Sequence, residues 1–221
     1  MNYQNIIDNL RTKTNSVILF HSGTGKDSIM LCDLLSKKFD SVTCIFMYIV
    51  KGLEYENRYI NYTEKKYSNV KFIQTPHYCL PSFIKNGYLG IKKDNSIPNT
   101  TIAKIDEKYR EILGLNYSVY GFKKCDGVTR RLMLNGYKEG ISNTNKAYPL
   151  MDLKNKDILT YINYNDLIPP FNYGTLKPSS GCDISTPEFL AYLKNKYPDD
   201  LIKIFNQFPF TENILYKFEN L

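Results

Sequence analysis

The sequence predicts an α/β protein: a parallel five-stranded sheet with helices on both faces, plus a short helical C-terminal extension. Three observations lead there. Strand-like apolar runs alternate with helix-periodic stretches along most of the 221 residues. The run from Ser41 to Val50, SVTCIFMYIV, is almost continuously apolar, as a parallel strand covered on both faces would be. Ser16 to Ser36 reads as strand, small-residue turn and helix, a geometry that aims backbone N–H groups at an anion.

The elements follow in order. Residues 2–12 form an amphipathic helix with Ile6, Ile7 and Leu10 on one face. The first strand is 16–21. A helix over 27–38 repeats Ile29, Met30, Leu31, Leu34 and Leu35 at helical spacing, with Asp27 where the N-cap belongs. The second strand is 41–50, and a Tyr- and Lys-rich helix follows over about 53–67. Val70 to Gln74 is the third strand, ended by Thr75-Pro76-His77. A short helix at Leu80–Lys85 precedes an irregular loop over 87–100. Ala103 to Leu113 is helical, with Gly114 as the residue that ends it. Tyr117–Tyr120 is the fourth strand, Val128–Leu134 a helix, Ala147–Leu150 the fifth strand and Asn155–Tyr164 a helix. From Phe171 the composition turns rich in Gly, Pro and Ser, then gives short helices near 187–195, 199–206 and 211–219. Residues 1–170 therefore read as a core domain and 171–221 as an extension packed on it.

Composition narrows the function classes. The net charge of +7 permits an anionic partner, but the lysines are scattered and form no basic stripe. The five cysteines show no Cys-x-x-Cys spacing, so neither a metal site nor a disulfide framework is expected. Reduced thiols and a cytoplasmic location fit this usage. No signal-like segment and no apolar run of membrane-spanning length is present, so no membrane partner is expected.

The turn after the first strand excludes two nucleotide motifs. A Walker A loop needs Gly five positions before Gly25, where Phe20 stands, and Ser or Thr after Lys26, where Asp27 stands. The dinucleotide fingerprint fails because Ser28 occupies its third Gly position. What remains is Ser22-Gly23-Thr24-Gly25-Lys26-Asp27-Ser28. This resembles the pyrophosphate loop (PP-loop) Ser-Gly-Gly-x-Asp-Ser of adenine nucleotide alpha-hydrolase-like proteins, with Thr24 as an inserted or substituted residue. The superfamily includes ATP pyrophosphatases, tRNA sulfurtransferases and phosphoadenosine phosphosulfate (PAPS) reductases. Small residues let amides approach a phosphate, Ser22 and Ser28 offer hydroxyls, and Lys26 adds charge.

Later segments point to the PAPS reductase-like branch. Gly121-Phe-Lys-Lys-Cys-Asp-Gly-Val-Thr-Arg-Arg131 resembles the family's Gly and basic segment, and offers Lys123, Lys124, Arg130 and Arg131 as further anion contacts. Tyr148-Pro-Leu, the helix ending Tyr161-Ile162, and Gly181-Cys182 also resemble the family, with Leu153 where Trp is usual. The resemblance covers about residues 16–183.

It implies an adenine nucleotide, ATP or PAPS, as substrate, with Mg²⁺ bridging the phosphates and no iron–sulfur cluster. Lys26, Asp27 and Cys182 are the catalytic candidates. The reductases' Glu-Cys-Gly-like tail is not seen here, since no Cys follows Cys182. Three readings stay open. One is a PAPS reductase-like enzyme of sulfur transfer, served by Cys182 or an external thiol or sulfur donor. The second is an AMP-forming ATP pyrophosphatase that adenylates an acceptor, nucleic acid included. The third is a nucleotide-binding module without chemistry. A homodimer is compatible with each.

Overall fold

The computed structural model describes residues 2–21, 25–137, 139–168 and 183–220. Helix α1 (Tyr3–Arg11) leads into β1 (Ser16–His21), α2 (Lys26–Ser36), β2 (Ser41–Tyr48), α3 (Glu54–Lys66) and β3 (Val70–Pro76). Then come α4 (Leu80–Asn86), α5 (Ile102–Leu113), β4 (Ser118–Val119), α6 (Val128–Asn135), β5 (Lys146–Ala147) and α7 (Asn155–Tyr164). Three helices complete the chain: α8 (Pro187–Lys196), α9 (Pro198–Gln207) and α10 (Phe210–Glu219).

The strands form one parallel sheet of five in the order β3-β2-β1-β4-β5. Alternation along the strands builds a core on each face. Val17 and Leu19 of β1 join Val42, Cys44 and Phe46 of β2 under α2, α3 and α7. Ile18, Phe20, Ile45 and Met47 point the other way, against Ile105 and Tyr109 of α5. A third apolar cluster joins α8, α9 and α10 to Val50, Leu53, Tyr55 and Leu80.

The predicted α/β class and the five parallel strands are therefore present, with local differences. The second strand stops at Tyr48, and Val50 packs among the C-terminal helices instead. Thr75 and Pro76 extend β3 rather than ending it. Proline is tolerated there because β3 is an edge strand, so no neighbour needs its missing N–H. The fourth and fifth strands shrink to two residues each, since their partners offer pairing only over Ile18–Leu19 and Ser118–Val119. The N-cap of α2 is Gly25, in extended conformation, and Asp27 lies in the first helical turn. The carboxylate of Asp27 is drawn away from the capping role by two lysines.

Candidate functional site

In the first half of the chain, successive connections step from β1 to β2 to β3. The next connection, through α5, crosses back to place β4 on the other side of β1. The crevice beyond the carboxyl ends of β1 and β4 is thus the topological switch point, where open parallel sheets bind ligands. A cavity of about 150 Å³ opens there.

Its wall has two characters. Phe20 at the end of β1, Met47 in β2, Ile102 at the start of α5, and Tyr120 and Phe122 after β4 make an apolar side. Phe20 and Tyr120 stack with ring centroids 4.7 Å apart and planes 7° from parallel. Tyr120 and Phe122 continue the group at 5.3 Å. Gly25, Asp27, Ser28, Gly121 and Asp126 supply the polar side. That side includes the N-terminus of α2, whose amides and dipole favour an anion.

The charged groups are tied together. Lys123 Nζ donates to Asp27 Oδ1 at 2.7 Å and lies 2.9 Å from Asp126 Oδ1. The Lys123 backbone N–H donates to Asp126 Oδ2 at 2.8 Å. Lys26 Nζ reaches Asp27 Oδ2 at 3.3 Å. Lys123 is only 1 % exposed and Lys26 5 %. Burial alone would lower the Lys123 pKa, but Asp27 and Asp126 outweigh it and hold the ammonium above the ordinary lysine range.

The structure therefore brings together Gly25, Lys26, Asp27, Ser28 and Lys123 among the residues expected from the sequence. Lys124 turns aside to an ion pair with Asp152 at 2.7 Å. Arg130 lies over the Phe122 ring, with Cζ 3.2 Å from the centroid, and so sits by the aromatic side. Arg131 is exposed on α6. Ser22, Gly23, Thr24 and Cys182 lie outside the described residues.

Sequence reasoning missed the apolar side. The rule that ligands bind beyond strand carboxyl ends could have singled out Phe20, Met47 and Tyr120. Ile102 carried no such signal, because only the packing of α5 brings it to the crevice. Asp126 lies within the same basic segment, and nothing in its spacing marks it as the partner of Lys123. Among the described residues, no group of three or more His, Cys, Asp or Glu is placed to hold a metal ion. No described helix is long and apolar enough to cross a membrane.

The family model of the phosphoadenosine phosphosulfate reductase domain matches residues 17–183. No curated protein matches the sequence significantly. Among solved structures, the chain is similar to the NH3-dependent NAD synthetase of Campylobacter jejuni, solved in complex with the nitrate ion. The identity is 14 %, the TM-score 0.50, and the match covers 98 % of this chain and 94 % of that one. It is also similar to a tRNA thiolase from Methanococcus maripaludis carrying a 4Fe–4S cluster, at 14 % identity and TM-score 0.41, over 99 % of this chain and 79 % of that one. At such identity the likeness to the synthetase speaks to the fold, and the family match over most of the length carries the assignment: the chain belongs to the phosphoadenosine phosphosulfate reductase domain family.

Proposed function

We propose that the protein is an adenine-nucleotide-binding enzyme that acts at the phosphate or phosphosulfate of ATP or PAPS, in sulfur-transfer chemistry. The observation that carries this reading is the two-sided cavity at the switch point. Its apolar side, with Phe20, Met47, Ile102, Tyr120 and Phe122, suits a flat purine. Its polar side, at the α2 N-terminus, suits the phosphates.

In this reading the amides around Gly25 to Ser28 hold the phosphate chain and stabilise charge that builds on the leaving group, and the buried Lys26 ammonium beside Asp27 adds positive charge behind them. With PAPS, a thiolate attacks the sulfate sulfur and adenosine bisphosphate departs; Cys182 or an external thiol serves as nucleophile. With ATP, an acceptor attacks the α-phosphorus and pyrophosphate departs. A Mg²⁺ ion would arrive held by the phosphates themselves, because the two carboxylates that line the cavity, Asp27 and Asp126, already bond Lys123. Such an ion supplies charge neutralisation of the phosphates.

The test is a pair of assays on the full chain. Sulfite formed from PAPS with a dithiol supports sulfur transfer. Pyrophosphate released from MgATP supports the adenylating alternative. Binding of either nucleotide without turnover supports a module without chemistry. Lys26→Ala and Asp27→Ala are expected to weaken nucleotide binding by about tenfold or more. Affinity unchanged in both variants would overturn the site.

A further inference from the structure

We propose that the segment Gly121–Phe122–Lys123 is a positioning device for the Asp27 carboxylate, and that Lys123 serves the nucleotide through Asp27 rather than by touching it. The inference rests on the nucleotide-binding reading above. Three observations carry it.

The first is how the oxygens are used. Both Asp126 oxygens are spent on Lys123, one on its backbone N–H and one on its ammonium. Asp126 thereby clamps Lys123 at both ends of the residue. Nζ, fixed in this way, takes Asp27 Oδ1 at 2.7 Å. Asp27 Oδ2 meets only the longer contact from Lys26, 3.3 Å, among the hydrogen bonds of the described residues. One oxygen is thus anchored, and the other is oriented within the group that lines the cavity.

The second is burial. The Lys123 side chain is 1 % exposed, whereas that of Asp27 is 23 % and that of Asp126 is 33 % exposed. The ammonium lies behind the carboxylates, where a nucleotide in the cavity meets Asp27 first. Accordingly, Lys123 is absent from the cavity wall while both of its partners belong to it.

The third is the close fit at Gly121. A Cβ placed on Gly121 would come 3.0 Å from the Asp27 Cβ and 3.6 Å from Leu31 Cδ1. The missing side chain therefore lets α2 approach the end of β4 closely enough for the Lys123–Asp27 bond to form. A close approach at Gly121 and an ionic tie at Lys123, two residues apart on one segment, place the same side chain.

The experiment is a double-mutant cycle on the full chain, with MgATP and PAPS each titrated by calorimetry. Lys123→Met is expected to weaken the bound nucleotide about ten- to hundredfold. Lys123→Arg, which can still bridge two carboxylates, should restore affinity to within about threefold. The double variant Lys123→Met/Asp27→Asn should bind no more weakly than Asp27→Asn alone. Gly121→Ala, which leaves every charge in place, should cost about three- to tenfold. Additive losses in the cycle, or no rescue by arginine, would overturn the proposal.

A ligand-free measurement separates this inference from the nucleotide reading. In the wild-type protein, the Lys123 ammonium, followed by nitrogen NMR, should titrate above the ordinary lysine range, and Asp27→Asn should bring its midpoint down. If the wild type binds neither nucleotide but the midpoint moves, the nucleotide reading fails while the tie to Asp27 stands. An unchanged midpoint overturns the tie itself.

Discussion

Glu56 shows what a single buried carboxyl does to the pH response. It lies in the first turn of α3, and its Oε2 is shielded from solvent with no hydrogen-bond partner among the described residues. Burial, reinforced by the negative charge of Asp200, pushes its pKa from the ordinary 4.5 to about 8. The folded state therefore keeps the proton over a range in which the unfolded chain releases it. Stability contributed by this group is full below about 4.5 and falls as the pH rises towards about 8, where the folded form also ionises. Glu56→Gln removes that dependence. Its stabilising effect in urea unfolding should be greater at pH 8.5 than at pH 5 by roughly 2–4 kcal/mol. A difference independent of pH would mean that the carboxyl is solvated.

At the scale of elements, Asp33 of α2 knits three helical segments together. It is 2 % exposed. Its Oδ1 accepts from Tyr67 at the end of α3 at 2.8 Å, and its Oδ2 from Tyr161 of α7 at 2.5 Å and from Lys37 at 2.7 Å. Burial raises its pKa, and these donors overcome that and hold it below the usual carboxylate range. Asp33→Ala would take the acceptor from two tyrosine hydroxyls at the seam of α2, α3 and α7 and release the half-exposed Lys37 to solvent. The expected loss is about 2–4 kcal/mol in denaturant unfolding. The cavity at the other end of α2 should survive, so nucleotide affinity of the folded variant should change less than about threefold.

At the scale of the molecule, the question is how the last three helices meet the sheet. Helix α3 has Leu53 at its N-cap and no side-chain cap of its own. Asp200, from α9, supplies one: its two oxygens accept from the amides of Glu54 at 2.8 Å and Tyr55 at 2.9 Å. Lys203 joins Asp200 to the carbonyl of Gly52. Around this polar joint, Tyr55 packs edge-on against Phe189, Tyr192 and Tyr197. Asp200→Ala should destabilise the chain by about 2–3 kcal/mol, since it uncaps a helix and strands two amides. Hydrogen exchange at Glu54 and Tyr55 should speed up first. Unchanged protection there would show that the joint carries no stability.

Periodicity and apolar runs were enough to determine the α/β class, because hydrophobic spacing directly records which faces are buried. The same logic exposed the loop after β1, since small residues between a strand and a helix have a mechanical use. What spacing could not determine is who pairs with whom. Lys26, Lys123 and Lys124 read alike in sequence as anion contacts. Only the fold made Lys123 the buried tie between Asp27 and Asp126, and sent Lys124 to Asp152. The lengths of β4 and β5 escape spacing for the same reason: a strand ends where its neighbour stops offering partners, and that neighbour is distant in sequence. Thus the sequence by itself determined the layers and the place where an anion would meet them. The tertiary structure alone decided the charge pairing and the aromatic side of the cavity, because both arise from contacts between segments that the chain keeps far apart.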